Sequence, residues 1–271
     1  MFIAGVRAHD YGKSKMQELF SHISADGWKT IQLAFRKALV ETETYGINSQ
    51  LSEKVKMALS ENGLQLGVLG AYVEPSMADE VVRRQSVEDF CAQIPIARYL
   101  SAGCIGTETT NMEKQPGVSR EQALKCLRMS LSDMLTVAEQ NNVTVAVEPV
   151  YYHAMNTVEE TKKIINDMQS KWLGVIFDPV NILSPDLISG QNDLWKRAVD
   201  SFGDKIMAVH FKGVRCENGR MISCPLKESI VDYEAVFGEL RQIKRDIPVL
   251  REEAVSGMAK EDIEFIKSFF E

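Results

Sequence analysis

Eight short β-prone runs alternate with amphipathic stretches of helical period along the 271 residues of the chain. The runs are FIAGVRAH from residue 2, TIQLAF from 30, LQLGVLGAY from 64, CIGTET from 104, VTVAVEP from 143, LGVIFDP from 173, KIMAVHFK from 205 and IPVLREE from 247. Between or after them lie KSKMQELFSHIS, LSEKVKMALSENG, ADEVVRRQSVEDFCAQIPIARYL, SREQALKCLRMSLSDMLTVAEQN, TVEETKKIINDMQ, VDYEAVFGELRQI and EDIEFIKSFF. Successive strands joined by helical crossovers pair in parallel, and eight such units close on themselves. The pattern therefore predicts an α/β fold, a single (β/α)8 TIM barrel spanning residues 1–271 as one domain, with its active site at the carboxyl ends of the strands.

Four of those ends carry metal-ligand side chains. VAVEP ends on Glu148, GVIFDP on Asp178, IMAVHFK on His210 and PVLREE on Glu252. In neighbouring strands of one barrel these would meet at a single point, which makes a divalent metal site. Alternation along the strands points the same way: Thr144 and Ala146 share the face of Glu148, while Val145 and Val147 face the covering helices. Likewise Gly174 and Ile176 share the face of Asp178, and Ile206 and Ala208 that of His210. A slip of one residue would exchange Glu252 with Glu253, so both stay candidates at this stage.

Each of these residues has a plainer reading. A strand-end carboxylate more often caps a turn or pairs locally, and it is the series of four that favours a shared ion. Lys212 either holds a substrate oxygen or pairs with a ligand carboxylate. His153, in EPVYYH, is read as a polar group at the mouth, against a solvated loop residue. Asn181 contacts substrate or caps a turn. Glu108 and His9 end the fourth and first strands and line the mouth or anchor loops. Arg215 and Arg220 flank CENG, read as a hairpin turn with both arginines on its surface. Trp28, Trp172 and Trp195 read as core fillers, and Met57, Met129, Met134 and Met168, on helical patterns, are expected inside.

Composition narrows the functional classes. The chain is 45% apolar, enough for a sizeable core, and its formal charge of −7 disfavours a nucleic-acid partner, which would demand a basic face. No run reaches the eighteen or so apolar residues of a membrane span. MFIAGVRAHDYGKSK lacks the basic start and long apolar core of a signal peptide, so a cytoplasmic location is expected. Five scattered cysteines, without a CxxC pair, read as reduced packing residues. No GxGxxG or Walker sequence occurs, which leaves the metal as the expected cofactor.

The segments EP at 148, DPVN at 178, HFK at 210 and PVLRE at 248 resemble those of xylose-isomerase-like barrels, in particular the sugar and sugar-phosphate isomerases and epimerases related to ketose 3-epimerases. That resemblance spans the chain in topology. It implies that Glu148, Asp178, His210 and Glu252 hold one divalent ion, with Pro248 favouring Glu252 over Glu253. It also implies a sugar or sugar phosphate as substrate and admits a homo-oligomer. Three positions depart from the family pattern: Asn181 stands where a histidine is frequent, Gly213 where an aspartate follows the HxK triplet, and Ala154 where some ketose epimerases carry an acid.

The chemistry agrees with the donor set. Three carboxylates and an imidazole suit Mn²⁺ or Mg²⁺, with Co²⁺ or Zn²⁺ also accommodated. An ion chelated by adjacent carbonyl and hydroxyl oxygens of a sugar acidifies the C–H between them and stabilises the enediolate. Glu148 and Glu252 are the expected catalytic pair, one removing a proton and the other returning it. The leading expectation is thus a metal-dependent isomerase or epimerase. The alternatives are an inosose-type dehydratase, a non-catalytic sugar-binding barrel and, ranked last, an endonuclease IV-like repair enzyme, for which four histidines are too few.

Overall fold

The computed structural model describes residues 2–255 and 257–269. Among the described residues ten strands occur in chain order: β1 (Phe2–Arg7), β2 (Thr30–Leu33), β3 (Gln65–Gly70), β4 (Cys104–Glu108), β5 (Val145–Glu148), β6 (Leu173–Phe177), β7 (Ile206–Phe211), β8 (Val214–Glu217), β9 (Arg220–Ser223) and β10 (Ile247–Arg251). Eight of them close a parallel barrel in the order β1-β10-β7-β6-β5-β4-β3-β2. Strands β8 and β9 form a separate antiparallel hairpin. All eight predicted strands are present, in the predicted (β/α)8 arrangement.

The barrel is closed by β10 pairing with β1, from Phe2 opposite Ile247 to Val6 opposite Arg251. Two apolar layers result. Val68, Cys104, Ala146, Ile176, Ala208 and Leu250 form a small buried cluster within the barrel. Val145, Val147, Val175, Phe177, Val209 and Val249 belong instead to the larger core between strands and helices. Residues on both faces are therefore apolar, as expected of a doubly covered parallel sheet.

One inward assignment fails. Ile206 lies in the outer core, and Met207 packs against the inner cluster instead. The cause is a break in register: Val175 pairs with Ile206 but Ile176 with Ala208, so β7 carries one extra residue. A Cβ on Gly174 would collide with Met207 Cγ, so the bare backbone there is what admits Met207.

The helices follow the predicted stretches with three differences. The stretch from 78 to 100 is two helices, Glu80–Cys91 and Ile94–Tyr99, because Pro95 in the first turn of the second cannot continue the first. Helix Gln191–Phe202, outside the seven predicted stretches, buries Leu194, Trp195, Ala198, Val199 and Phe202. Short helices Phe35–Ala38 and Glu41–Tyr45 fill the connection after β2. The predicted stretch EDIEFIKSFF is helical to Lys267, and its final Phe270 lies outside the described residues.

Trp28 and Trp195 are fully buried, as is Met134. Met57 and Met129 are about half exposed, at 58% and 48%. Each sits between the buried positions of its helix, Val55 and Ala58 in one case and Leu127 and Leu131 in the other, and so falls on the outward face. The CENG segment is a hairpin turn with Asn218 and Gly219 both at positive φ, 50° and 73°, the geometry that matches strand twist in a two-residue connection. Among the described residues, no helix is long and apolar enough to cross a membrane.

Candidate active site

Glu148 ends β5, Asp178 follows β6 directly, His210 lies one residue from the end of β7 and Glu252 follows β10. These four strands are consecutive on the barrel wall. Parallel strands in register bring their carboxyl ends to one rim, so residues far apart in sequence meet there. One donor atom from each of Glu148, Asp178 and His210 lies within 4.8 Å of the others, and all three residues are buried. Glu252 stands beside this trio: its Oε1 is 3.2 Å from His210 Nδ1, while Oε2 is drawn to Lys212 at 2.9 Å. Glu253 turns outward at φ 57° and accepts from Ser223 Oγ.

Buried carboxylates need partners, and here they have them. Lys212 Nζ lies 2.8 Å from Asp178 Oδ2, 2.9 Å from Glu252 Oε2 and 2.9 Å from Asn181 Oδ1. Arg7 Nη1 reaches Glu252 Oε1 at 2.9 Å. Asn181 donates from Nδ2 to Glu148 Oε1 at 2.6 Å, and its backbone N–H, with that of Val180, donates to Asp178 Oδ1. Lys212 is thus an ion-pair partner of two carboxylates, Asp178 Oδ1 caps the turn after β6, and the Asn181 side chain orients Glu148.

Charge states follow from these contacts. Burial alone would raise the Glu252 carboxyl, but Lys212, His210 and Arg7 hold it well below the usual range. Burial opposes charge on Lys212, yet Asp178, Glu252 and Glu148 keep its ammonium firmly protonated. For His210, burial lowers and the carboxylates of Glu148 and Glu252 raise the pKa, to about 9.

Two buried atoms fit an ion. His210 Nδ1 and Asp178 Oδ2 have charged neighbours but no assigned hydrogen bond: Glu148 Oε2 lies 3.1 Å from the former and Lys212 Nζ 2.8 Å from the latter. A carboxylate oxygen and an imidazole nitrogen of this kind are what a divalent cation would use.

The remaining candidates line the rim. Glu108 pairs in register with Glu148, and burial together with the charges of Glu148 and Glu252 pushes its carboxyl up to about 7. His153 is buried beside it, Nε2 3.7 Å from Glu108 Oε2, and burial, aided by Lys114, lowers its pKa to about 4. His9 lies in a short turn after β1 with its ring 6.1 Å from that of Tyr72; burial, then Arg7 and Lys37, lowers its pKa to about 3.

Three residues escaped the sequence reading: Arg7, Gln32 and Tyr72. Gln32 Oε1 is 2.6 Å from His210 Nε2, and Gln32 Nε2 donates to Tyr72 Oη at 2.7 Å. The available signal was a polar side chain near the end of an otherwise apolar strand, in VRAH and TIQLAF.

Comparison with known proteins bears on the fold and the family. The L-ribulose-5-phosphate 3-epimerase UlaE of Escherichia coli is 23% identical over 241 residues, covering 89% of this chain and 76% of that protein. A D-tagatose 3-epimerase-like protein superimposes with TM-score 0.80 at 16% identity, over 99% of this chain and 97% of its own. The IOLI protein, solved with a bound zinc atom, gives 0.76 at 16% identity, over 100% and 96%. These structural likenesses bear on the fold. The family model of the xylose isomerase-like TIM barrel matches residues 20–269, and the chain belongs to that family.

Proposed function

We propose that the protein is a divalent-metal-dependent epimerase or isomerase of a ketose or ketose phosphate. The observation that carries this reading is the buried convergence of Glu148, Asp178 and His210 within 4.8 Å at the carboxyl rim of the barrel. These three would hold the ion, with Glu252 adjoining. Their oxygen-rich set favours Mn²⁺ or Mg²⁺ and accommodates Co²⁺ or Zn²⁺. A cation bound there would offset the negative charge that develops on the substrate oxygens as the C–H beside the carbonyl is lost.

The protein's own groups supply the proton transfers. Glu148 and Glu252 lie at the two ends of the arc β5-β6-β7-β10, so they flank a substrate from opposite sides. Glu252, kept as a carboxylate by Lys212 and Arg7, is assigned the removal of the proton. Glu148 returns one to the other face, which inverts the carbon; delivery to the neighbouring carbon would move the carbonyl instead. Glu108, His153 and His9 are assigned to the substrate hydroxyls. The names of the Escherichia coli 3-epimerase and the D-tagatose 3-epimerase-like protein support epimerisation as the leading outcome.

The test is proton exchange. The metal-loaded protein, incubated in D₂O with a panel of ketoses and ketose phosphates, should place deuterium next to the carbonyl and yield the epimer or isomer. A dehydrated product would make it a lyase on the same scaffold. Absence of exchange with every member of the panel, by protein that has bound metal, would leave a sugar-binding barrel and end the proposal.

A further inference from the structure

We propose that Gln32 is a positioning residue that turns Nδ1 of His210 toward Glu148 and Asp178, and that Tyr72 anchors the Gln32 amide in place. The inference rests on the metal-binding reading above. It concerns residues from another part of the barrel wall: β1 and β10 stand between β2 and β7, and Tyr72 follows β3.

An imidazole can present either nitrogen to a cation, and the choice is made by whatever binds the other. His210 is fully buried, with Nε2 2.6 Å from Gln32 Oε1 and Nδ1 3.1 Å from Glu148 Oε2. A carbonyl oxygen on Nε2 holds the hydrogen there, so the proton that an ion displaces is the one on Nδ1. The reverse amide would donate to Nε2, leave the hydrogen on Nδ1 and block that nitrogen as a ligand.

A hydroxyl can pair with either end of an amide, so what Tyr72 contributes is a second anchor: its Oη, 2.7 Å from Gln32 Nε2, accepts from the donor end and holds the side chain against His210. Gln32 is 2% exposed, so water cannot substitute for either partner. The plainer reading, that Gln32 only fills the top of the barrel, predicts that shape alone matters. The proposal predicts that the acceptor matters, so a carboxylate in the same place should serve and an apolar isostere should not.

The experiment compares wild type with Gln32→Leu, Gln32→Glu, Tyr72→Phe and His210→Ala, each ¹⁵N-labelled on histidine. Zinc affinity is measured by competition with a chelating dye, and the ring nitrogens of His210 by NMR. Wild type is expected to ligate zinc through Nδ1 and to show a slowly exchanging Nε2–H. Gln32→Leu should lose that protected proton and bind zinc ~10–100-fold more weakly, the usual effect of losing the partner of a ligating histidine. Gln32→Glu should retain both.

Equal zinc affinity and a protected proton in Gln32→Leu would overturn the proposal, as would a Gln32→Glu variant as weak as Gln32→Leu. Tyr72→Phe removes only a hydroxyl and keeps the test decisive should Gln32→Leu fail to fold: weaker zinc binding supports the proposal, and unchanged binding refutes it. If wild type and His210→Ala are alike in taking up no zinc, the metal reading itself falls and this proposal falls with it. If wild type binds zinc and only the Gln32 and Tyr72 variants are neutral, the metal reading stands and this proposal alone is lost.

Discussion

Arg7 and Glu252, 245 residues apart, form an ion pair of 2.9 Å that joins the first barrel strand to the segment leaving the last. It adjoins His210, whose Nδ1 is 3.2 Å from Glu252 Oε1, and is mostly shielded from water, with Arg7 at 19% and Glu252 at 5% side-chain exposure. Removing one member of a shielded pair strands the other charge. Arg7→Leu is therefore expected to destabilise the fold by about 1–3 kcal/mol in urea unfolding, the range for a buried polar group losing one partner. Lys212 still contacts Glu252, which keeps the loss below that of a wholly unpaired charge. A variant as stable as wild type would show that the barrel closes without this pair.

Glu148→Gln separates chemistry from folding. The amide oxygen can still accept from Asn181 Nδ2, which lies 2.6 Å from Glu148 Oε1, so the rim should keep its shape and its unfolding midpoint. Proton transfer needs the carboxylate, and deuterium incorporation from D₂O into a ketose should drop by at least ~10²-fold. Full activity in this variant would remove Glu148 from the mechanism.

Gly213 occupies a position where the family pattern has aspartate, and its surroundings explain the difference. A Cβ there would collide with the carbonyl oxygen of Cys224 and lie 2.8 Å from the backbone of Pro225, because the hairpin β8-β9 folds back and Cys224 donates its N–H to Gly213 O. Restoring the family residue, Gly213→Asp, should thus destabilise the protein by roughly 1–3 kcal/mol through overpacking against rigid backbone. Limited proteolysis should also cut faster between residues 214 and 223. Unchanged stability and cleavage would mean the hairpin is free to move aside.

What could be read from the text, and what could not, divides along contact distance. The strands were legible because both faces of each are buried, which leaves continuous apolar runs ended by a polar group such as Glu148 or Asp178. The choice of Glu252 over Glu253 became clear only with the backbone, which turns left-handed at Glu253 and sends its side chain to Ser223. The extra residue in β7 was hidden because register depends on the partner strand, not on the run IMAVHF itself. Gln32 was hidden for the same reason: its partner lies 178 residues away, and the lone polar side chain in TIQLAF does not by itself say what it meets.

Buried neutral histidine at the rim should make the protein acid-sensitive. Burial, aided by Lys114, lowers the His153 pKa from 6.5 to about 4. The unfolded chain therefore takes up a proton as pH falls through 6.5, whereas the folded chain does not until about pH 4. Stability from this residue is fully present above pH 6.5 and is lost progressively between 6.5 and 4. His9, lowered to about 3, acts in the same direction. Urea midpoints measured at pH 7.5, 6 and 5 should fall with acidity in wild type and fall less steeply in His153→Gln, which cannot titrate. Parallel slopes for the two proteins would show that His153 is charged, or reached by water, in the folded state.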